Sequence, residues 1–379
     1  MVTKRTTQLF LLLVFCFTIG KSQITVPPSG GNQKSVVTQY IGSLATVSVI
    51  YNSPDVTAPN GQDRKGKIWG QLVPYGMAPN GFGSAKEIPW RAGANENTII
   101  KLSHDVTIQG KALKAGKYGV HIIPKAEGAW TLIFNKNTSA WGSYYYDAAD
   151  DALRVEVTPE ESGYTEWLTY DFVDRQPTSC VLALKWENLA IPFKIELSDA
   201  KQLYVDNIRD ELKSSTGFQY QSWVSAVNYC VANDVNLEEA LVWADKAISA
   251  PFIGQENFAT LSAKAAVLNK LNRGDEAIAT MNKAVRHATA TSFQIHGFGR
   301  QLITLGQKEK ALEIFQLNAE RFGEAWPTHV GLARGYSAVG QYDKALKHAK
   351  LAHAQAPDKL NKDSLSQMME QLKANKDVN

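Results

Sequence analysis

Cysteine is nearly absent: three in 379 residues are too few for a disulfide framework. Cys16 lies in an apolar N-terminal run. Cys180 and Cys230 fall in stretches read below as different domains, so no bridge between them is expected, and two thiolates alone do not make a zinc site. Histidine is also sparse, at seven. His348 and His353 stand five apart, a spacing that turns two helical side chains to different faces, so no paired-histidine zinc helix is present. No glycine-rich phosphate loop and no nucleophile elbow occur; Asn60-Gly61, Gly81-Phe82-Gly83 and Gly110 read as turns. This inventory assigns no catalytic residue, no metal site and no cofactor. Neither sign of charge is in excess, with 40 Lys and Arg against 37 Asp and Glu. Nucleic acid, which demands a basic face, is therefore not an expected partner. No apolar run is long enough to span a bilayer, so a membrane-spanning protein is not expected either.

What is present at the N-terminus is a leader. Lys4 and Arg5 precede an apolar run from Leu9 to Ile19, and Gly20-Lys21-Ser22 offers small residues at a cleavage site. Residues 1–22 thus read as a secretory signal peptide, placing the mature protein in the periplasm or at the cell surface. Bulky Phe15 before Cys16 makes that cysteine a poor lipid-anchor site. Cleavage after Ser22 removes three cations and leaves a neutral chain.

From Ile24 to Leu197 apolar residues recur in short runs bounded by Pro, Gly, Asn or Asp. The runs are Leu44 to Ile50, Thr98 to Leu102, Tyr118 to Ile123, Trp130 to Phe134, Leu153 to Val157, Glu166 to Phe172, Cys180 to Trp186 and Ile191 to Leu197. Many short Val-, Ile-, Thr- and aromatic-rich runs without helical period predict an all-β, sandwich-like domain over 24–197. Within it, Trp90 to Thr98 gathers Trp90, Arg91, Gly93, Asn95, Glu96 and Thr98 just before a strand. Two readings stand side by side. In one the stretch is a structural corner, with Trp90 in the core, Arg91 paired to Glu96 and Gly93 at positive φ. In the other, Trp90, Arg91, Asn95 and Glu96 face a ligand, as loops on a rigid β scaffold often do. His104 beside Asp105, with His121 on a nearby strand, forms the domain's histidine cluster, and Tyr144 to Tyr146 after Trp141 suggest an aromatic platform for a small molecule or glycan.

A resemblance enters on ordered motifs: Tyr51-Asn52-Ser53-Pro54, Ile68 to Gly76, Trp90 to Thr98, Leu113 to Tyr118, Ile123-Pro124, Trp130, Asn135-Lys136, Trp141-Gly142 and Tyr146-Asp147. Over about residues 33–197 the chain resembles the secreted bacterial family catalogued as domain of unknown function 2911. That resemblance implies an exported β-rich domain and carries no activity. One departure is Met77 to Pro89, a Gly- and Pro-containing segment where the family pattern leads almost directly into the Trp-Arg pair. It is expected to form an enlarged loop that lids or reshapes any pocket there.

After Asp199 the texture turns to Ala, Leu, Lys and Glu with apolar residues three and four apart. Gly306 to Ala311 recurs 34 positions on as Gly340 to Ala345, and Asn272 to Ala277 stands 34 earlier. Ala265, Gly299 and Ala333 fall in the same register. The period is that of tetratricopeptide repeats, here over about 223–357, with a first unit displaced by 37 and Lys359 to Lys373 as a capping helix. An all-α repeat domain over 203–373 is expected, with Asn228, Lys264, Arg300 and His329 as candidates for a groove that binds a protein or peptide partner. Two functional readings follow: an exported, non-catalytic binding or scaffold protein, or a hydrolase-like enzyme whose site lies near Arg91, Glu96 and His104.

Overall fold

Val47 and Val49 alternate with Ser48 and Ile50, and this period of two sets the first hairpin. The computed structural model describes residues 32–379, so the stretch expected to be a signal peptide, residues 1–22, with Cys16, lies outside the described residues. The chain divides into two units, the first ending at Ser198 and the second beginning at Asp199.

In the first unit β1 (Gln33–Ile41) runs against β2 (Ala45–Ser53), with Val47 and Val49 buried. After them come β3 (Ala78–Pro79), β4 (Glu87–Ile88), β5 (Ile99–Leu102), β6 (Val106–Ile108), β7 (Lys111–Leu113), β8 (Gly116–Ile123), β9 (Trp130–Asn135), β10 (Asp151–Val157), β11 (Glu160–Arg175) and β12 (Ser179–Leu197). One sheet has the order β1-β2-β5-β8-β9-β10 and a second the order β11-β12-β6-β7; β3 and β4 form a hairpin of their own. Every pairing between these strands is antiparallel. The two runs Cys180 to Trp186 and Ile191 to Leu197 belong to one long strand, β12, which passes through Glu187 at φ 54. That strained residue is held because its carboxylate accepts the Gly66 N–H.

Rings from the two sheets meet at Tyr51 and Tyr170, 4.9 Å apart, and at Phe134 and Phe193, 6.1 Å apart. A second aromatic group is centred on Trp69, whose ring lies 5.5 Å from Trp90, 5.1 Å from Trp130 and 5.9 Å from Trp186, with Trp90 and Trp186 stacked at 6.2 Å. The Trp69 and Trp186 indole nitrogens have no hydrogen-bond partner among the described residues. Both rings sit in edge-to-face pairs, where an indole edge meets a neighbour's π face.

The second unit contains α1 (Ala200–Glu211), α2 (Tyr220–Asn233), α3 (Leu237–Ser249), α4 (Phe258–Lys270), α5 (Gly274–Arg286), α6 (Ser292–Thr304), α7 (Lys308–Phe322), α8 (Trp326–Ala338), α9 (Tyr342–Gln355) and α10 (Lys359–Lys373). The helices from α2 to α9 make four hairpins, and α10 caps the last as its apolar spacing predicts. The 34-residue period has two physical causes here. The turn inside each later hairpin needs a left-handed residue, supplied by Asn272 (φ 60), Gly306 (φ 73) and Gly340 (φ 75). Close approach of α6 and α8 to α7 needs bare backbone: a Cβ on Gly299, Gly331 or Gly335 would come within 2.6 to 2.8 Å of the Phe315 ring. Among the described residues no helix is long and apolar enough to cross a membrane.

Trp186→Ala removes a fully buried member of the tryptophan group and should cost about 3–5 kcal/mol in urea unfolding of the β-rich unit. A loss below about 1 kcal/mol would show that the neighbouring indoles close the space without strain.

Candidate functional site

The Trp90–Thr98 stretch starts as an extension of the six-stranded sheet. Trp90 and Ile122 of β8 exchange backbone hydrogen bonds of 2.9 and 2.8 Å. Ala92 (φ 50) and Asn95 (φ 56) then bend the chain, whereas Gly93 does not take a positive φ. Gly93 is needed for space instead: a Cβ there would lie 2.6 Å from the Thr98 hydroxyl. That hydroxyl donates to the Ala92 carbonyl at 3.0 Å, and the Tyr170 hydroxyl donates to the same oxygen at 2.9 Å.

The expected Arg91–Glu96 pair is not formed. Glu96 accepts from Asn52 Nδ2 at 2.8 Å. Arg91 folds the other way, donating from Nη1 to the Asn95 carbonyl at 2.7 Å and placing its guanidinium 5.0 Å from the Tyr144 ring centroid. It lies on bare backbone, since a Cβ on Gly142 would come within 2.2 Å of the guanidinium carbon. Asn95 accepts on Oδ1 from Asn32 Nδ2 at 3.3 Å. Asn97 donates to the Asn137 carbonyl at 3.1 Å, while its buried Oδ1 has no partner among the described residues.

Beside Arg91 is a buried polar group. His121 Nδ1 lies 2.9 Å from Ser143 Oγ, with both side chains sealed from solvent. Tyr146 packs edge-on to His121 at 5.4 Å, donates to Asp151 Oδ2 at 2.8 Å and accepts from Arg154 Nη2 at 2.6 Å. Asp151 also accepts from Arg154 Nε at 2.6 Å and from Asn135 Nδ2 at 2.8 Å. Burial pushes the His121 imidazole down to about 4, with Asp151 opposing and the Arg91 charge assisting, and burial with the Asp151 bond pushes the Tyr146 phenol up. His104 is not part of this group. It follows β5, bonded to Ser103 Oγ at 2.9 Å, and β5 ends opposite Gly116, five residues short of His121 on β8. At ~3.3 Å per strand residue that is about 16 Å.

Met77 to Pro89 is a docked hairpin built on β3 and β4. Asn80 Nδ2 donates to the Ala85 carbonyl at 2.8 Å and the Tyr144 carbonyl at 3.2 Å. Its tip, Phe82, is 63% exposed and meets the Tyr144 and Tyr145 rings at 5.5 and 6.1 Å. These rings form an open aromatic patch beside the Arg91–Tyr144 stack, and Trp141, 54% exposed, directly precedes the Gly142 on which Arg91 lies. Such a surface fits an apolar or sugar face. The neighbouring Ser143 and His121 side chains are shut away from this surface. Gly142, Ser143, Asp151 and Arg154 were not singled out as site residues by sequence reasoning. Gly142 alone carried a signal, as half of the Trp141-Gly142 motif.

On the repeats, Asn228 (α2) and Arg300 (α6) are exposed. Lys264 (α4) is half-buried and paired with Asp245 at 2.7 Å. His329 does not face an open groove: it is 1% exposed, with Nδ1 3.1 Å from His348 Nδ1. An open groove of about 410 Å³ lies between α5 and α7, floored by Phe298, Leu302 and Ile314 and rimmed by Asp275, Glu313 and Lys310. An adjoining one of about 340 Å³ shares Ile278 and Phe298 and continues to Ala265 and Leu305. Among the described residues, Asp275, Glu313 and Lys310 form no ion pair.

His121 should make the β-rich unit acid-sensitive. Its folded value, about 4, lies below the ordinary 6.5, so the unfolded state binds the proton first. Its contribution is therefore complete above about pH 6.5 and is lost as pH falls toward 4, a swing of about 3 kcal/mol. Urea unfolding across that range should show this slope in the parent and not in His121→Gln; an unchanged slope would assign it to other groups.

None of the curated proteins matches this chain. Among solved structures, the second unit is similar to YrrB, described as a TPR protein with an unusual peptide-binding site, at 18% identity over 47% of this chain and 85% of that one, TM-score 0.31. It is also similar to TTC0263, a thermophilic TPR protein in Thermus thermophilus, at 15% identity over 45% and 91%, TM-score 0.31. A tetratricopeptide repeat protein from Parabacteroides merdae ATCC 43184 aligns at 16% identity over 46% and 70%, TM-score 0.33. At these scores the likeness carries no functional weight; the repeat assignment stands on the 34-residue register and the helix hairpins themselves. The ordered motifs of the first unit have a counterpart: residues 32–195 match the family model described as protein of unknown function (DUF2911).

Proposed function

We propose that this chain is an exported, non-catalytic binding or scaffold protein of the bacterial cell envelope, with its helical repeats as the surface that takes a protein or peptide partner. The observation that carries this reading is the groove between α5 and α7. It has an apolar floor and a rim of charges without intramolecular partners, the anatomy of a surface that gains by being covered. Export rests on the Lys4–Ser22 pattern. The aromatic patch of Phe82, Tyr144 and Tyr145 supports a subsidiary role in holding a small molecule or glycan on the β-rich unit.

The alternative, a hydrolase-like site near Arg91, Glu96 and His104, needs those three groups to meet. Arg91 is engaged by Asn95 and Tyr144, Glu96 by Asn52 and His104 by Ser103, which gives that reading no geometric support.

Ala279 is an exposed lining residue of the groove, and Ala279→Arg fills the space without disturbing the helix. Full-length protein should capture a partner from envelope extract, Ala279→Arg should reduce that capture about tenfold, the loss expected when a central contact worth about 1.4 kcal/mol goes, and Arg91→Ala should leave it intact. The reading fails if Ala279→Arg captures as well as the parent. Export is checked by fractionation and intact mass, with Gln23 expected as the first residue of the envelope form; retention of Met1–Ser22 in the cytosol would refute it.

A further inference from the structure

Arg300 on α6 and Arg334 on α8 stand 34 residues apart, in repeat register, and among the described residues neither forms an ion pair. Arg300 is exposed, whereas Arg334 is half-buried. Burial and the Arg300 charge both lower the Arg334 guanidinium's affinity for its proton, and no carboxylate offsets them. Phe298 and Leu302, which floor the groove described above, lie two residues either side of Arg300. They point about 200° away from it round the helix, so the arginines mark a separate face.

Arg334 is covered by the chain itself. Asn375, at φ 53, turns the backbone beyond α10, and Lys376–Asn379 returns over α8. Arg334 Nη1 donates to the Val378 carbonyl at 3.1 Å, and Asn379 Nδ2 donates to the Arg334 carbonyl at 3.1 Å. The Ser337 hydroxyl donates to Asp377 Oδ1 at 2.9 Å and accepts from the Val378 N–H at 3.0 Å. Val378 packs on the cluster shared by α8, α9 and α10, and Asp377 Oδ2 lies 3.6 Å from Lys308 Nζ at the start of α7. The segment is thus non-helical backbone held by side chains of a neighbouring helix, with one aliphatic anchor, as a bound peptide is held. Its charge match is incomplete. One carboxylate, Asp377, meets Lys308, while both arginines are left without any.

We propose that Lys376–Asn379 is an intramolecular plug on a face of the repeats that binds an acidic peptide segment, and that a partner richer in carboxylates displaces it to pair with Arg300 and Arg334. This rests on the reading of the repeats as an interaction surface and names the partner's chemistry. An arginine facing a carboxylate gains charge-assisted, two-pronged hydrogen bonds that a backbone carbonyl cannot supply.

The test is fluorescence anisotropy on the full chain with a labelled hexaglutamate peptide, and hexaglutamine as control. Asp377→Lys with Val378→Gly releases the plug. It should tighten hexaglutamate binding about tenfold, the gain expected from uncovering a face that is closed nine-tenths of the time, and leave hexaglutamine unbound. Arg300→Glu, at an exposed position where folding is not at risk, should abolish binding in the released background, and added salt should weaken it. The proposal is overturned if the released variant keeps its helical melt yet binds no more tightly, or if Arg300→Glu leaves binding unchanged. Ala279→Arg separates the two readings: if partner capture remains sensitive to Ala279→Arg while hexaglutamate does not bind, only the plug falls, and if neither binds, the interaction reading falls with it.

Discussion

Both units are organised where a large side chain is seated against backbone that carries none. In the first, the Arg91 guanidinium lies on Gly142, closer than any Cβ would permit. In the second, the Phe315 ring is enclosed by Gly299, Gly331 and Gly335. Van der Waals exclusion is the governing term, because a methyl group in either place must displace the ring or cation or separate the elements it joins. From the Arg91 contact follows the placement of Ser143, Tyr144 and Tyr146, and with them the sealed His121 group and the open aromatic patch. From the Phe315 contact follows the spacing of α6, α7 and α8, and with it the grooves on one face and the arginine column on the other.

Arg91 and Arg334, like Arg321, are held by carbonyl oxygens rather than carboxylates. A guanidinium tolerates this better than an ammonium, because it is more weakly hydrated and spreads its donors over a planar fork. Arg91 rests in addition on the Tyr144 ring. Replacement by lysine at either position keeps the charge but loses the fork, and at Arg91 the stacking on Tyr144 as well, so it is not a conservative change.

Much of this architecture was legible in the sequence because its causes are local or periodic. Small residues at 34-residue spacing announced the repeats, and Leu365, Met368 and Leu372 marked the capping helix at its observed bounds. Short β-branched runs announced the strands, but Cys180 to Trp186 and Ile191 to Leu197 looked separate because Glu187 interrupts the apolar pattern; its tie to Gly66 is a contact between residues 121 positions apart. The same limit applied to the site. Arg91 and Glu96 sit five apart and read as a pair, yet their true partners were set by Asn52 and Tyr144, which only folding brings near. Gly93 looked like a turn residue, whereas the turn fell to Ala92 and Asn95 because the space at Gly93 is occupied by the Thr98 hydroxyl. Nothing in the short string Lys376–Asn379 signals that it folds back, since its anchors are one aliphatic side chain, Val378, and single hydrogen bonds to a helix some 40 residues earlier.

Cys180 and Cys230 are both buried and unpaired, one in each unit, and burial pushes each thiol up to about 11. At neutral pH almost no thiolate exists at either position, and neither sulfur is reached by solvent in the folded state. Among the described residues an oxidising environment therefore finds no exposed thiol to cross-link until a unit opens. Each unit accordingly carries its own chemical clock: the rate at which a thiol reagent consumes Cys180 times the opening of the strands, and the rate at Cys230 times that of the helices, within one unaltered chain.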